Sequence, residues 1–529
     1  MWIFPFILVF LHTNYYGKSI DCSQNKQCNY SIVQNKMRSN DTIFFYDKYI
    51  VEGTHLNSFR ELLSTAISLG TKIHGFNTII NGTFSEHYFP AFLTVSGSSN
   101  SSIINFTFTQ FKHSIFSFSG PLQCKIINFS FIDSSIEHKN SIFILENSSQ
   151  IFFQYTNFTF LTADASTIFS FKSSFVEYDY CLIDNVFLFH PTNEFPIIEA
   201  INSSIRISNS VISRVGSPYG SLFNLKAESN MSMINSSLIS NQNQYLIDCK
   251  DSHSLLFNNS IVYENQASFI STHSKKTEVI ILNTCFEYNH SPLSSFITVQ
   301  TQSLIKFDNN CKFVSNAGTF SLIRSLDSNI FIHNSIFEDN SFDDTIIKCT
   351  KNSQLMVDYT QFYNSQSKTA VIYLNHSVLS ISKSNFTYSW SPSIYTESSH
   401  MNITQTVFDK SEAHSQISVI SRNSLQSYIF NSSFQDETLT FSIEITGASF
   451  LQNLQFNTQK ELALPPALIK KCHNCHFLTE KIRNEVAFQV NSSIVLMISL
   501  SFIIFVLIIF IFRKRFRQLF RQFRSQKIV

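Results

Sequence analysis

The sequence predicts an all-β solenoid, a parallel β-helix, and three observations carry that reading. One short pattern is written four times between Ser254 and Asn340: Leu255-Leu-Phe-Asn-Asn-Ser-Ile-Val-Tyr-Glu-Asn265, Val279-Ile-Ile-Leu-Asn-Thr-Cys-Phe-Glu-Tyr-Asn289, Ile305-Lys-Phe-Asp-Asn-Asn-Cys-Lys-Phe-Val-Ser-Asn316 and Ile330-Phe-Ile-His-Asn-Ser-Ile-Phe-Glu-Asp-Asn340. Each copy is an alternating apolar strand, an Asn with a small polar residue, a large apolar residue, and an Asn three places later. The pattern also has a period. Taking the large apolar residue as a mark gives Phe108, Phe131, Phe160, Leu182, Ile212, Leu238, Val262, Phe286, Phe313, Phe337, Phe362, Phe386, Phe408, Phe434 and Phe456, with gaps of 22 to 30 residues. Such a period, without helical patterning, belongs to stacked coils. Composition agrees, because 56 Phe and 19 Tyr interleave with Asn and Ser while Gly and Pro number only 11 and 10. Aromatic and branched side chains suit a pleated surface, and Asn tolerates the left-handed backbone of tight turns.

Rival repeats fit less well. A leucine-rich repeat needs a Leu-x-x-Leu-x-Leu frame that is absent, and a sandwich or propeller should carry Asn-Gly or Asp-Gly hairpin signals. The one Asn-Gly pair, Asn81-Gly82, falls outside the array. About fifteen coils at the ~4.8 Å strand spacing would make a rod roughly 70 Å long. Stacking brings Asn289, Asn316 and Asn340 into one column, where amide ladders make them structural rather than ligand-binding.

In chain order, residues 1–19 read as a signal peptide. The apolar run Trp2–Leu11 is too short to span a bilayer, and Gly17-Lys-Ser19 offers a small-x-small cleavage site. Residues 20–96 form an N-terminal capping region. Within it Phe59, Leu62, Leu63, Ala66 and Ile67 have helical spacing ahead of Gly70, and Thr42-Ile-Phe-Phe-Tyr46 reads as a strand. A repeat array needs such a cap over its first layer. Residues 97–460 hold the coils. The pattern then stops at Glu461-Leu-Ala-Leu-Pro-Pro-Ala467, and 461–493 is a membrane-proximal segment. Residues 494–512 are nineteen apolar or small residues without a charge, a transmembrane helix. The tail 513–529 is basic, with Arg513, Lys514, Arg515, Arg517, Arg521 and Arg524, so it is expected in the cytoplasm, its Phe516, Leu519, Phe520 and Phe523 side lying on the anionic inner leaflet. The predicted topology is single-pass in the plasma membrane with an extracellular body.

The formal charge of +1 hides an asymmetry: setting aside the seven tail charges and Lys18 leaves 30 basic against 37 acidic residues. A body of that sign excludes nucleic acid as a partner. Exported Asn-x-Ser/Thr motifs point to glycan, with Asn105, Asn128, Asn157, Asn202, Asn235, Asn289, Asn385, Asn402 and Asn431 as acceptors.

Ten cysteines in an exported chain raise the question of disulfides. Cys22 with Cys28 and Cys472 with Cys475 are the local candidates. Cys249 and Cys349 both lie thirteen residues before their marks, hence in one column four coils apart, too distant to bond. Cys285 and Cys311 are offset by one position, which turns them to opposite faces. Cys124, Cys181, Cys249, Cys285, Cys311 and Cys349 are therefore expected as mostly buried thiols. Cys472-His-Asn-Cys-His476 has the spacing of a haem attachment site, but a local disulfide is the better reading for an exported segment. The acidic cluster Glu338-Asp339 with Asp343-Asp344 reads as a solvated turn. No catalytic, cofactor-binding or metal-binding set stands out.

The Phe-x-x-Asn motifs at Phe286–Asn289, Phe313–Asn316 and Phe337–Asn340, with weaker forms at Leu238–Asn241 and Val262–Asn265, resemble the right-handed parallel β-helix of the pectin-lyase-like superfamily. Residues 100–456 are more closely similar to the polymorphic-membrane-protein-type surface proteins expanded in trichomonad parasites. The Gly-Gly-Ala-Ile motif of the bacterial members is missing, and a helical anchor stands in place of their β-barrel. The Asn-Thr-Asp and Gly-His-Gly signatures of the hydrolases with this fold are absent too. The resemblance implies a non-enzymatic adhesion or cell-contact protein whose partner is a host-cell protein or glycan. The alternative is a membrane-anchored polysaccharide lyase or hydrolase.

Overall fold

The computed structural model describes residues 19–22, 41–45, 50–51, 55–82, 91–136, 141–163, 166–189, 195–251, 254–273, 276–409, 418–435, 442–457, 463–477 and 500. In a representative coil the strands Glu278–Leu282, Cys285–Glu287, His290–Ser291 and Ile297–Gln300 follow one another. Each pairs in parallel with its counterpart one coil on: Leu304–Asp308, Lys312–Val314, Ala317–Gly318 and Ile323–Leu326. Three long parallel faces result, called here the first, second and third sheets in that order, with the two-residue strands turning the corner between the second and third. The parallel solenoid has about 14 turns.

Alternation makes each strand. In Leu304–Asp308, Ile305 and Phe307 point inward and are buried while the other three face out. Stacking equivalent coils turns each inward position into a column. Phe286, Phe313, Phe337, Phe362 and Phe386 lie ring on ring, with centroids 4.6 to 4.8 Å apart and planes within 15°. That spacing is the strand spacing itself, so backbone hydrogen bonding and ring stacking are satisfied by one geometry.

The corners are left-handed. Between the first and second sheets, Asn209, Asn235, Asn259 and Asn283 all have positive φ, a region Asn enters at lower cost than most residues. The residue that follows is buried, and its hydroxyl donates back to a carbonyl two residues earlier: Ser210 at 2.6 Å, Ser236 at 2.8 Å, Ser260 at 3.1 Å and Thr284 at 2.9 Å. Cys181 and Cys311 occupy this same column, their thiols directed at the Asp179 and Asp308 carbonyls. A thiol there stands in for a hydroxyl.

The corner after the second sheet holds the buried amide ladder. Asn241 Nδ2 donates to Asn265 Oδ1 at 2.9 Å, Asn265 to Asn289 at 2.9 Å, Asn289 to Asn316 at 2.9 Å and Asn316 to Asn340 at 3.0 Å. The backbone N–H groups of Asn241, Asn265, Asn289 and Asn316 donate to those same oxygens, and each Nδ2 also reaches a main-chain carbonyl of the preceding coil, such as Phe286 O from Asn316. Both amide hydrogens and the oxygen are thus in use, as a fully buried amide requires.

Helix α1, His55–Ser68, covers the start of the stack. Phe59, Leu62, Leu63, Ala66 and Ile67 are buried, Phe45 meets Phe59 edge-on at 5.3 Å, and Gly70 ends the segment at φ +74°. The strand expected at Thr42 runs from Thr42 to Phe45.

Two sequence expectations need correction. The column residue after Phe131 is Phe158, not Phe160, and the next is Ile183, not Leu182. Phe160 sits at φ 54° and is 58% exposed, because the left-handed corner resets the in–out alternation after Thr159. The pattern also does not stop at Phe456: Cys472–His473 and His476–Phe477 add another rung, with Phe477 stacked 5.1 Å from Phe456. The intervening Pro465-Pro466 segment, with a short helix Pro466–Ile469, takes the place of the third-sheet strand in this coil and is not the end of the array. Asn289, one of the expected glycan acceptors, is 1% exposed, and its nitrogen donates to Val262 O and Asn316 Oδ1.

Among the described residues no helix is long and apolar enough to cross a membrane. The segments 1–18 and 501–529, which hold most of the expected signal peptide, most of the expected span and all of the basic tail, lie outside the described residues.

Removing one ladder amide leaves buried partners unpaired, which costs ~1–3 kcal/mol each, so Asn316→Ala should lose about 3–5 kcal/mol in a denaturant titration. Asn259 is exposed at its left-handed corner, where its amide donates to Asn235 at 2.7 Å and accepts from Asn283 at 3.0 Å, so Asn259→Gly, compatible with positive φ, should lose less than ~1 kcal/mol. Phe337→Ala, between two stacked rings, should cost ~3–5 kcal/mol in the same measurement.

Candidate functional site: the third sheet

The three outward faces differ in chemistry. Outward positions on the first and second sheets include Ile261, Met356 and Val378, 46%, 39% and 43% exposed. The central column of the third sheet is polar between Ile144 and Ile420, running by strand pairing through Ser170, Glu199, Asn224, Asp248, Ser271, Thr298, Arg324, Lys348, Tyr373 and Tyr395. Ser170, Asn224, Asp248, Ser271 and Thr298 are buried, and Glu199, Arg324, Lys348, Tyr373 and Tyr395 reach the surface. This track was not visible in the sequence, because its members are separated by whole coils of varying length and share no residue type.

The early half of the track is acidic and paired. Glu199 accepts from Lys226 at 2.7 Å, and Asp248 lies 3.3 Å from both Lys250 and His273. The Oδ1 of both Asn224 and Asp248 is buried without a hydrogen-bond partner, His273 reaching Asp248 Oδ1 only as a loose ionic contact. The later half is cationic and aromatic. Lys348 pairs with Asp344 at 2.7 Å and sits 5.6 Å over the Tyr373 ring. Tyr373 stacks on Tyr395 at 5.5 Å, and Arg422 lies 5.5 Å over Tyr395. Burial, then the neighbouring Glu397 carboxylate, raises the Tyr373 phenol above its ordinary value, so it stays protonated and donates to Glu397 at 3.3 Å.

Ser271, His273 and Asp248 bring a hydroxyl, an imidazole and a carboxylate together here. Ser271 Oγ is 2.9 Å from His273 Nε2, and Asp248 Oδ1 is 3.3 Å from that same nitrogen. A nucleophile relay needs the two partners on opposite ring nitrogens, so this arrangement does not form one.

Residues 137–140 and 190–194, which in the chain follow second-sheet strands and precede third-sheet strands, lie outside the described residues. The first-to-second corner stays short throughout the array.

The other sequence candidates are spread around the solenoid. Glu338 and Asp339 lie at the second-sheet corner, where Asp339 accepts from Asn364 at 2.7 Å. Asp343 and Asp344 pair with Lys368 and Lys348, so no acid pair converges. No group of His, Cys, Asp and Glu able to hold a metal occurs among the described residues. Cys472 and Cys475 form a disulfide across the last corner, and Cys28 lies outside the described residues. Cys249 and Cys349 stack in one third-sheet column through Thr272, Val299 and Ser325. Cys311 is buried and Cys285 half-exposed. Asp184 on the second sheet is pushed up by burial but held below its ordinary value by hydrogen bonds from Arg214 and Ser213.

These features define a parallel β-solenoid with one chemically distinct face. No protein-family description matches the chain, and no curated protein matches it. Solved structures with some likeness include the A-module of mannuronan C-5 epimerase AlgE6 from Azotobacter vinelandii, at 9% identity over 79% of this chain and 95% of that one, TM-score 0.26. A mannuronic acid-specific family 6 polysaccharide lyase from human gut microbiota matches at 8% identity over 84% and 94%, TM-score 0.28. PfbA, a surface adhesin of Streptococcus pneumoniae, matches at 10% identity over 66% and 92%, TM-score 0.21. At these scores nothing transfers from them, and the solenoid rests on its own strand pairings.

Burial pushes the Cys124 and Cys181 thiols up to about 12 and raises Cys349 as well. The thiolate is the reactive form, so at pH 8 these thiols should ignore a disulfide reagent in the native chain and react after denaturation. The Asp184 carboxylate, with its depressed pKa, contributes stability above the unfolded carboxylate value that is lost as pH falls through the folded one. Asp184→Asn should therefore flatten the acid limb of a stability-against-pH curve.

Proposed function

We propose that the chain is an exported, single-pass cell-surface glycoprotein whose solenoid binds an extended glycan of a contacting cell along the third sheet, without processing it. The leader-like start, the apolar segment 494–512 and its basic tail support the placement, and the resemblance to trichomonad surface proteins agrees with it. The observation that carries the reading is the third-sheet column from Glu199 to Tyr395. Its accessible members are the Glu199 carboxylate at one end and, on four successive coils, the Arg324 and Lys348 cations and the Tyr373 and Tyr395 rings. A linear polymer can meet successive coils with successive units, and each coil need contribute only a weak contact. The basic tail would hold the inner leaflet.

The second reading, a membrane-anchored polysaccharide lyase or hydrolase, draws on the Ser271–His273–Asp248 group alone. Full-length chain displayed on eukaryotic cells, challenged with an immobilised glycan panel, separates the two. Binding that falls at least tenfold in Arg324→Ala and in Lys348→Ala, with intact glycan recovered, is the expected result. Shortened or unsaturated product, abolished by Ser271→Ala, would establish the enzyme instead, and no binding to any glycan would sink the adhesion reading.

A further inference from the structure

Resting on the exported reading above, we infer that the fold sorts the glycan acceptors. N-linked glycans clothe the first and second sheets and their corners, and the centre of the third sheet is left bare as the contact face. Asn128, Asn235 and Asn431 are exposed at the first-to-second corner, Asn157 and Asn385 face outward on the second sheet, and Asn402 faces outward on the first. Asn202 is exposed at the corner that leads from the third sheet to the first. Asn105 is half-buried at the first-to-second turn. The third-sheet column contains one asparagine, Asn224, followed by Leu225-Lys226 and so not an acceptor; the acceptor motif Asn375-His-Ser377 stands at the end of the strand Ala370–Asn375, on the border with the first sheet.

Two further observations point the same way. A groove of about 410 Å³ on the first sheet has Asn402 in its lining beside Met401 and Tyr428, and one of about 530 Å³ at the neighbouring corner has Asn431 beside Lys383 and Asn453. Glycans on these two asparagines occupy both concavities. On the first and second sheets a sugar layer also keeps the exposed Ile261, Met356 and Val378 from sticking to other chains. Asn289 is excluded for a separate reason: both hydrogens of its amide nitrogen are spent inside the ladder, so a chain glycosylated there cannot close its coils.

The test is glycopeptide mapping of the full-length chain recovered from the surface of eukaryotic cells, with and without a deglycosidase. Glycan at the exposed sites and none at Asn289 is expected. A second arm uses Lys348→Asn, which places an Asn-Cys-Thr acceptor in the third-sheet column, against the same chain also carrying Thr350→Ala, which removes the acceptor. The glycosylated variant should bind the glycan panel at least tenfold more weakly than its unglycosylated double variant, whereas Asn402→Gln should leave binding within twofold. Glycan on Asn289 in the surface protein, or equal binding by the two Lys348 variants, would overturn the inference. Absence of glycan at every site would instead overturn the exported reading beneath it.

Discussion

Every coil must lie on a copy of itself one strand spacing away, and that single requirement governs the rest of the structure. Parallel strands hydrogen-bond coil to coil, so any residue in the column is faced by its counterpart at ~4.8 Å. Side chains that attract their own kind at that distance are favoured inside. Phenylalanine qualifies by stacking, as the column from Phe286 to Phe386 shows, and asparagine qualifies because it is both donor and acceptor. From Asn241 to Asn316 the ladder uses both functions and both amide hydrogens of each side chain. A buried charge in either column would repel its copy, and none is found there.

The same rule explains how far the sequence could be read. Where identical residues stack, the repeat is visible: Phe286, Phe313 and Phe337 announce themselves, and so do the asparagines three places after them. Where the column is filled by different apolar residues, the register slips. Leu182 and Ile183 are both plausible fillers, and only pairing with Phe158 and Ile212 selects Ile183. Phe160 misled for another reason, since a left-handed corner residue reverses the alternation that single-strand periodicity assumes. The last rung was hidden because Pro465-Pro466 and the short helix after it replace the strand pattern of that coil, although Phe477 follows Phe456 at nearly the usual interval. The cysteine arithmetic succeeded because it used register alone: Cys249 and Cys349 do share a column.

Outward positions follow no such rule, and this is where the chain is free to vary. The first and second sheets carry exposed apolar side chains beside the Arg206–Glu177, Lys306–Glu278 and Arg214–Asp184 pairs, and the third carries the Arg324, Lys348 and Tyr373 series. A solenoid thus separates its tasks: inward columns hold the coils, and one outward column is available for recognition.

By itself the sequence determined the class of fold, the capping helix, the coil period and the buried amide ladder. These depend on interactions between near neighbours or on identical residues recurring at a fixed interval. The tertiary structure alone decided which residues share an outward face. Glu199, Asp248, Arg324 and Tyr373 are unlike one another and lie whole coils apart in the chain, and they become neighbours only because the backbone between them closes a turn each time.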